Sequence, residues 1–337
     1  MSSPLAPNPE RIFGLMNAHH HTAALKAGVE LDVFTAIAEG VTTSEALASR
    51  CNASERGMRI LCDFLAVMGL LTKENGAYGL SPDAALFLDR NSPACMGSVT
   101  RFLASDLLVQ GFQRLTDAVR KGGTVMSESG TMEPEHPAWV EFAKSMVPLM
   151  APAAQDIAAI LAEGGGGVRK VLDIAAGHGI FGVTLARAFP EAEITALDWP
   201  AVLEVAKENA ENAGITGRYR TIPGSVFDVE LGGPYDVILV TNFFHHFDEP
   251  TCTALAKKIL NSLSDKGRMV TLEFVPNPDR ISPPVPASFP IIMLTSTAHG
   301  DAYTFAQFDQ IFRAAGFTHN KLHQLTHSPE QLIVSHR

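Results

Sequence analysis

The second half of the chain alternates short apolar runs with longer segments whose apolar residues recur at helical spacing. The run Val237-Ile238-Leu239-Val240 is typical of a strand that is buried on both faces of a sheet. Strands are predicted at 168–175, 194–197, 218–223, 235–241 and 268–275, with a final strand pair at 317–325 and 331–335. Helices are predicted between them at 181–189, 200–213, 250–263 and 304–315. This alternation indicates a mostly parallel α/β sheet.

The first half of the chain is predicted to be mainly helical. Helices are expected at 11–38, 42–50, 54–68, 98–120 and 139–162. A hairpin is expected at 70–80, around the turn Asn75-Gly76. Two helices followed by a hairpin is the order of a winged helix, which serves DNA binding in some proteins and dimer contacts in others. A run of four glycines at 164–167 is predicted to act as a hinge before the sheet.

A glycine-rich turn follows the first strand of the predicted sheet. Asp173 precedes Gly177, Gly179 and Gly182, which satisfy the G-x-G-x-x-G pattern, and Asp198 lies at about the distance expected for an acid that binds a ribose. The pattern leaves two ligands open, a nicotinamide dinucleotide and S-adenosylmethionine. The carboxylate of Asp173 favours the second, because it suits an ammonium group better than a pyrophosphate.

Composition narrows the possible partners. The 337 residues suggest roughly two domains. The net charge of −10 argues against nucleic acid, and therefore favours dimer contacts over DNA binding for the winged-helix-like segment. No apolar run is long enough to span a membrane, and residues 1–10 contain no apolar leader. The four cysteines are scattered, which is typical of reduced thiols in a cytoplasmic protein.

The pattern Asp-x-Ala-x-Gly-x-Gly from Asp173, together with Asn242…His245-His246-Phe247 after the fourth strand, resembles the class I S-adenosylmethionine-dependent methyltransferases. The whole chain is similar to their two-domain small-molecule O-methyltransferases, such as plant caffeate and bacterial polyketide enzymes. This resemblance implies a winged-helix-like dimerisation domain over 1–110 and a Rossmann-like catalytic domain over 111–337, with an antiparallel strand at the C-terminal end of the sheet. It also implies a homodimer, S-adenosylmethionine as cofactor, and methylation of a hydroxyl group on a small, aromatic or polyketide-like metabolite.

The resemblance assigns roles to residues at the ends of the predicted strands. Gly177 and Gly179 would lie against the methionine part of the cofactor, Asp173 near its ammonium group, and Asp198 on the ribose hydroxyls. The remaining cofactor contacts would come from Trp199, Ser225, Val226, Phe227 and Asn242. Ser225 departs from the family, which often has an acid there, and Asp228 is a substitute for adenine recognition.

His245 aligns with the general base of the plant enzymes, and Glu273 with an acid that orients it. A histidine can take the proton of an attacking hydroxyl at neutral pH, and a carboxylate can hold its ring in place. The family's second acid has no clear counterpart, and Asp301 is the nearest one. The acceptor pocket is expected to be apolar, with contributions from Phe142, Met146, Met150, Phe243, His246, Phe289, Met293 and His299.

His246 is a second departure, because the plant enzymes have aspartate at this position. His245, His246 and His299 could hold a metal, as in a C-methyltransferase acting on an α-keto acid, but adjacent histidines share an ion poorly and no metal is expected. A nicotinamide-dependent oxidoreductase and a winged-helix regulator are weaker alternatives. The proline-rich segment 276–290 is predicted as a loop, either a lid or a stiff connector.

Overall fold

The computed structural model describes residues 7–164 and 167–337, which form two compact units that divide between Ser105 and Asp106. Most of the segment in which an apolar leader was sought, residues 1–6, lies outside the described residues. So do Gly165 and Gly166 of the predicted hinge.

The first unit is mainly helical, as the sequence predicts. Its helices are α1 (Pro9–Glu30), α2 (Val33–Ala38), α3 (Ser44–Arg50), α4 (Glu55–Val67), α5 (Pro82–Phe87) and α6 (Thr100–Leu103), and its strands are β1 (Leu71–Glu74) and β2 (Ala77–Leu80). The single helix predicted at 11–38 is two helices, because Asp32 takes a left-handed conformation with φ 60°. Thr43 and Ser54 cap α3 and α4 by accepting hydrogen bonds from backbone N–H groups.

The second unit contains the sheet. Its helices are α7 (Asp106–Gln113), α8 (Leu115–Lys121), α9 (Ala138–Ser145), α10 (Val147–Glu163), α11 (Ile180–Ala188), α12 (Pro200–Asn212), α13 (Glu249–Ser262), α14 (Pro284–Ser288), α15 (Pro290–Ser296) and α16 (Phe305–Ala315). Its strands are β3 (Lys170–Ile174), β4 (Glu193–Asp198), β5 (Tyr219–Pro223), β6 (Tyr235–Thr241), β7 (Leu263–Glu273), β8 (His319–Gln324) and β9 (Gln331–His336).

The seven strands are ordered β5-β4-β3-β6-β7-β9-β8. Strands β5, β4, β3, β6 and β7 are parallel, and β9 is antiparallel to both of its neighbours. This confirms the predicted mostly parallel sheet with an antiparallel C-terminal strand. The chain runs outward from β3 to β4 on one side and returns to β6 on the other, so the crevice at the carboxyl ends of β3 and β6 is the switch point where such sheets bind ligands.

Three predicted elements differ in detail. The helix expected at 98–120 is broken into shorter helices, and the one expected at 139–162 bends by 67° at Met146, between α9 and α10. The segment predicted as a proline-rich loop contains α14 and the start of α15. Each of these helices begins with a proline, whose fixed φ suits the first helical turn.

Among the described residues, no single helix has the length and apolar composition to span a membrane. Helices α9 and α10 satisfy that test only when they are taken together.

Candidate active site

The glycine turn after β3 is held by contacts that exclude side chains. Gly179 has φ 70° and precedes the first turn of α11, and a Cβ atom there would lie 2.5 Å from the hydroxyl oxygen of Tyr219. Gly177 has φ 56° and donates its N–H to Oδ2 of Asp198 over 2.8 Å. These two positions therefore require glycine for conformation, and Gly179 also for space.

Asp173 lies beneath this turn and is fully buried. Its Oδ2 accepts a hydrogen bond from the N–H of Gly182 over 3.1 Å, while its Oδ1 is buried without a hydrogen-bond partner. The pKa of Asp173 is raised to about 8, mainly by burial and also by the nearby Asp198, against the lowering effect of the Gly182 N–H group. Asp173 thus contacts the first turn of α11 through Gly182 and has no exposed surface.

Asp198 ends β4 and faces the same turn. Besides the Gly177 N–H, its carboxylate accepts the N–H of Trp199 over 2.7 Å. Burial raises the pKa of Asp198 to about 6, and the two N–H donors lower it. A carboxylate has about four lone-pair sites, so Asp198 can accept two further hydrogen bonds from a ligand.

Two residues near the turn were missed by the sequence analysis. The ring of His178 is buried and stacks on Phe142 of α9 with centroids 6.0 Å apart. Its Nδ1 accepts the N–H of Ile180, and its Nε2 is buried without a partner. The Tyr219 hydroxyl is likewise buried without a partner. The position of His178 between Gly177 and Gly179 was the available signal, whereas Tyr219 gave none.

Ser225, Val226 and Phe227, which follow β5, differ in how far their side chains are exposed to solvent. Val226 is buried in the core of the sheet, Phe227 is exposed with its ring 5.1 Å from that of Phe247, and Ser225 accepts the N–H of Phe227. Trp199, on β4's carboxyl end, packs with Ala143 of α9 and the apolar face of α12.

His245 and Glu273 form a buried pair at the carboxyl ends of β6 and β7. Nδ1 of His245 lies 2.5 Å from Oε2 of Glu273, and Oε1 of Glu273 accepts the N–H groups of Phe243 and His245. Burial lowers the pKa of His245, so its ring is neutral at pH 7. Burial raises the pKa of Glu273, and the N–H donors act in the opposite direction. With Nδ1 directed at Glu273, the lone pair of a base falls on Nε2.

His246 is buried among aromatic rings. Its ring centroid lies 4.3 Å from that of His245 and 5.2 Å from that of Trp139, in an edge-to-face contact. Burial lowers the pKa of His246 well below its usual value, and its Nδ1 is buried without a partner. His299 is exposed, and in the described part of the chain no three His, Cys, Asp or Glu side chains form a group that could hold a metal ion.

Only some of the residues expected to line the acceptor pocket lie beside His245 and His246. The ring of Phe289 lies 4.8 Å from that of His245, and Phe243 contacts His246. Phe142 lies instead against Gly177 and His178 of the glycine turn. Met146, Met150 and Met293 are buried.

Asp301 and Glu330 are two further acids near the pair. The backbone N–H of Asp301 donates to the carbonyl of His245, but its carboxylate forms an exposed ion pair with Arg280. Glu330, which the sequence analysis did not single out, is buried, and its Oε2 accepts the hydroxyl of Ser328. It precedes Gln331, which pairs with Glu273 in the sheet.

Asn242 ends β6 with φ 54° and directs its amide nitrogen towards the sulfur of Met150, 3.6 Å away. Its Oδ1 is buried without a partner. Its left-handed conformation turns the chain so that the next N–H groups reach Glu273.

Comparison with known proteins agrees with this geometry. A family model described as an O-methyltransferase domain matches residues 112–318, and a second, described as an O-methyltransferase dimerisation domain, matches residues 13–90. The chain therefore belongs to the O-methyltransferase family.

Three relatives illustrate the match. The crystal structure of an O-methyltransferase candidate from Nostoc punctiforme is 49% identical, with 98% of this chain and 100% of that chain covered and a TM-score of 0.95. The 3-hydroxy-5-methyl-1-naphthoate 3-O-methyltransferase of Streptomyces sahachiroi is 27% identical over 93% of this chain and 90% of its own length. Human N-acetylserotonin methyltransferase in complex with S-adenosylmethionine shares the fold at 19% identity, with coverage of 100% and 99% and a TM-score of 0.85.

The protein is thus an S-adenosylmethionine-dependent O-methyltransferase. The site fits that cofactor, because the carboxylate of Asp198 keeps lone pairs that can accept hydrogen bonds from a ligand. The adjacent turn has no side chain at Gly177, where an added Cβ atom would lie 3.7 Å from the nearest side chain, that of Phe142. The comparisons give no support to a nicotinamide-dependent oxidoreductase or a winged-helix regulator.

Proposed function

We propose that this enzyme methylates a hydroxyl group of a small aromatic or polyketide-like metabolite, with His245 as the general base. The observation that carries the proposal is the buried His245–Glu273 pair, whose ring contacts the aromatic side chain of Phe289. The naphthoate hydroxyl named for the Streptomyces relative supports the same class of acceptor.

His245 would take the acceptor's proton at Nε2 while the acceptor oxygen bonds to the methyl carbon and the carbon–sulfur bond breaks. S-adenosylmethionine supplies the electrophilic methyl group. The hydrogen bond from Nδ1 to Glu273 fixes the ring, and the carboxylate stabilises the imidazolium that forms. Exclusion of water by the surrounding aromatic rings strengthens this electrostatic interaction.

The cofactor would be held by the ends of β3, β4 and β6. Asp198 accepts the ribose hydroxyls, and the turn at Gly177 and Gly179, which carries no side chain at these positions, lies against the methionine part. Asp173 acts through Gly182, since its own surface is buried. The other residues proposed to line the cofactor site are Trp199, Ser225, Phe227 and Asn242, with Val226 supporting them from the core.

The acceptor would meet His245 beside Phe289, Phe243 and His246, with Met146 and Met293 behind them. Phe142 is proposed to close the site from the cofactor side, because it stacks on His178. His299 is exposed and would contact only a large acceptor.

Three further assignments complete the proposal. Residues 1–110 act as the dimerisation domain of a homodimer, and residues 111–337 as the catalytic domain; the dimerisation family model over 13–90 supports the first. The four cysteines are free, which supports a reduced, cytoplasmic setting. The net charge of −10 disfavours nucleic acid as a partner.

The experiment combines binding and turnover. S-adenosylhomocysteine and NADH are titrated separately by calorimetry, and labelled methyl transfer is then followed with a panel of phenols and keto acids. We expect the enzyme to bind S-adenosylhomocysteine and not NADH, and the label to appear on the oxygen of a phenol. Label on carbon, or no transfer to any phenol, would contradict the proposed acceptor chemistry.

A further inference from the structure

A cavity of about 210 Å³ in the second unit lies between α7, α15 and the connector that precedes α9. Thr131, Glu133 and His136 of the connector, Thr295 and Ser296 of α15, and Leu108 of α7 are among its lining residues. None of the apolar residues expected at the acceptor pocket lines it. The cavity is lined by aliphatic and hydroxyl-bearing side chains, in contrast to the aromatic surroundings of His245.

Two sets of neighbouring residues link the cavity to the His245–Glu273 pair. Phe289, whose ring contacts His245, precedes Ser296 by seven residues along α15, or roughly 10 Å at about 1.5 Å per residue. On the opposite wall, the carbonyl of Thr131 accepts the indole N–H of Trp139, and the Trp139 ring contacts that of His246. A metabolite whose hydroxyl reaches His245 could therefore extend its other end into the cavity.

Three hydroxyl groups that line the cavity, one on the connector and two on α15, have already used their protons. Thr131 donates to the carbonyl of Ser296, and both Thr295 and Ser296 donate to the carbonyl of Ile292. A hydroxyl has one proton, so these three oxygens can only accept hydrogen bonds from a ligand. Glu133, an exposed residue that lines the same cavity, adds a carboxyl group.

The cavity can also donate, but without positive charge. Nδ1 of His136 accepts the N–H of Ala138, which leaves Nε2–H of the neutral ring as a donor. Thr124 and Ser127 accept backbone N–H groups and keep their protons. Lys121 binds the carbonyl of Thr124 but does not line the cavity. Among the described residues that line the cavity, Glu133 is the one with a carboxyl group.

We propose that this cavity binds the non-reacting end of the acceptor and selects an amine there, with Glu133 as the residue that determines the charge preference. The inference rests on the proposed acceptor site at His245. A carboxylate at the same end of the acceptor would face the lone pairs of the Thr295 and Ser296 hydroxyls and the negative charge of Glu133. An ammonium group there would donate hydrogen bonds to those hydroxyls and pair with Glu133.

The test uses three phenols of one length: aminobutyl phenol, its carboxylate counterpart and plain butyl phenol. Their binding to the enzyme with S-adenosylhomocysteine is measured by calorimetry, and their kcat/KM with S-adenosylmethionine is measured in parallel. The wild type should prefer the amine over the carboxylate. Glu133→Gln should reduce that preference about fivefold, as expected for loss of one charge interaction at high dielectric. Glu135→Gln changes an exposed acid on the same connector that does not line the cavity, and should leave the preference intact.

Binding and methylation, which are measured separately, distinguish the cavity assignment from the proposed function. Amine binding that depends on Glu133 without methylation of any phenol would uphold the cavity assignment and reject phenol methylation. A preference that Glu133→Gln does not change, a preference for the carboxylate, or the absence of binding by all three compounds would overturn the assignment.

Discussion

At the scale of single residues, the neutral ring of His245 is the group whose loss should separate chemistry from binding. His245→Ala should lower turnover by about 10²–10⁴-fold, the usual contribution of a general base. Affinity for S-adenosylhomocysteine should stay unchanged, because His245 lies on β6's loop and touches Glu273 rather than the glycine turn. Steady-state kinetics and calorimetry measure the two quantities.

His319→Ala is the matched control, since His319 is an exposed histidine on β8, and it should keep wild-type turnover. A fall in S-adenosylhomocysteine affinity in His245→Ala would contradict the assignment of this residue to proton transfer.

Glu330 should make stability depend on pH. The pKa of Glu330 is raised from 4.5 to about 7, mainly by burial and also by Glu273, against the lowering effects of Ser328 and Asn242. The folded state therefore holds this proton more tightly than the unfolded chain, and its stabilising effect is complete below about pH 4.5 and lost as the pH rises through 7. Glu330→Gln should remove this loss, which is at most about 3 kcal/mol.

Urea unfolding at pH 5 and pH 8 measures this effect for the wild type, Glu330→Gln and the exposed-site control Glu191→Gln. The difference in unfolding free energy between the two pH values should shrink only in Glu330→Gln. Equal differences in all three proteins would show that Glu330 is ionised in the folded state.

Sequence could predict that His245, Glu273 and Asp198 lie at the same edge of the sheet, because parallel strands bring their carboxyl ends to one edge. It could not predict His178 against Phe142 or Trp139 against His246. Those contacts depend on how α9 crosses the strand ends, and the spacing of residues along the chain does not encode that crossing. Glu330 was missed for the same reason, since its burial follows from the pairing of β9 with β7.

At the scale of elements, apolar periodicity located the strands well but not the breaks in helices. The predicted helix at 139–162 has a continuous apolar pattern, yet it bends at Met146, just before Pro148 in the first turn of α10. The proline content of segment 276–290 predicts a loop, although proline at a helix start is also compatible with α14 and α15. A proline therefore indicates the boundary of an element but does not indicate which side of that boundary is helical.

The contact between α11 and the sheet depends on Gly182. A Cβ atom there would lie 2.7 Å from Cγ2 of Ile194 and 3.0 Å from Oδ2 of Asp173. Gly182→Ala should therefore push α11 away from β3 and β4, lengthen the hydrogen bond to Asp173, and destabilise the fold by about 1–3 kcal/mol, as overpacking usually does. S-adenosylhomocysteine should also bind more weakly, because the glycine turn precedes the displaced helix.

Gly217→Ala is the matched control, since no atom lies within 4 Å of the added Cβ at Gly217. Urea unfolding and calorimetry compare the two variants. If Gly182→Ala matched the wild type in both stability and affinity, the close packing of α11 on the sheet would be disproved.

At the scale of the whole molecule, α1 carries apolar side chains that the described part of a single chain leaves exposed. Phe13 and Met16 are 69% and 68% exposed, and Ile12 and Leu15 are 55% and 66% exposed. Exposed apolar patches of this kind usually mark a surface that another protein covers. The dimerisation family model begins at residue 13, within this stretch of α1, so a second copy of the chain is the expected occupant.

Light scattering should therefore give twice the 36.1 kDa of one chain. The double variant Phe13→Glu/Met16→Glu should shift the protein to monomer, because burying two carboxylates at an apolar interface costs more than the contact returns. Ile281→Glu places the same charge on an equally exposed residue, 79% accessible, that lies outside the dimerisation match, and it should stay dimeric. A wild type that is monomeric at micromolar concentration would rule out dimerisation through α1, and so would a double variant that remains dimeric, because the apolar face of α1 would then have no part in the interface.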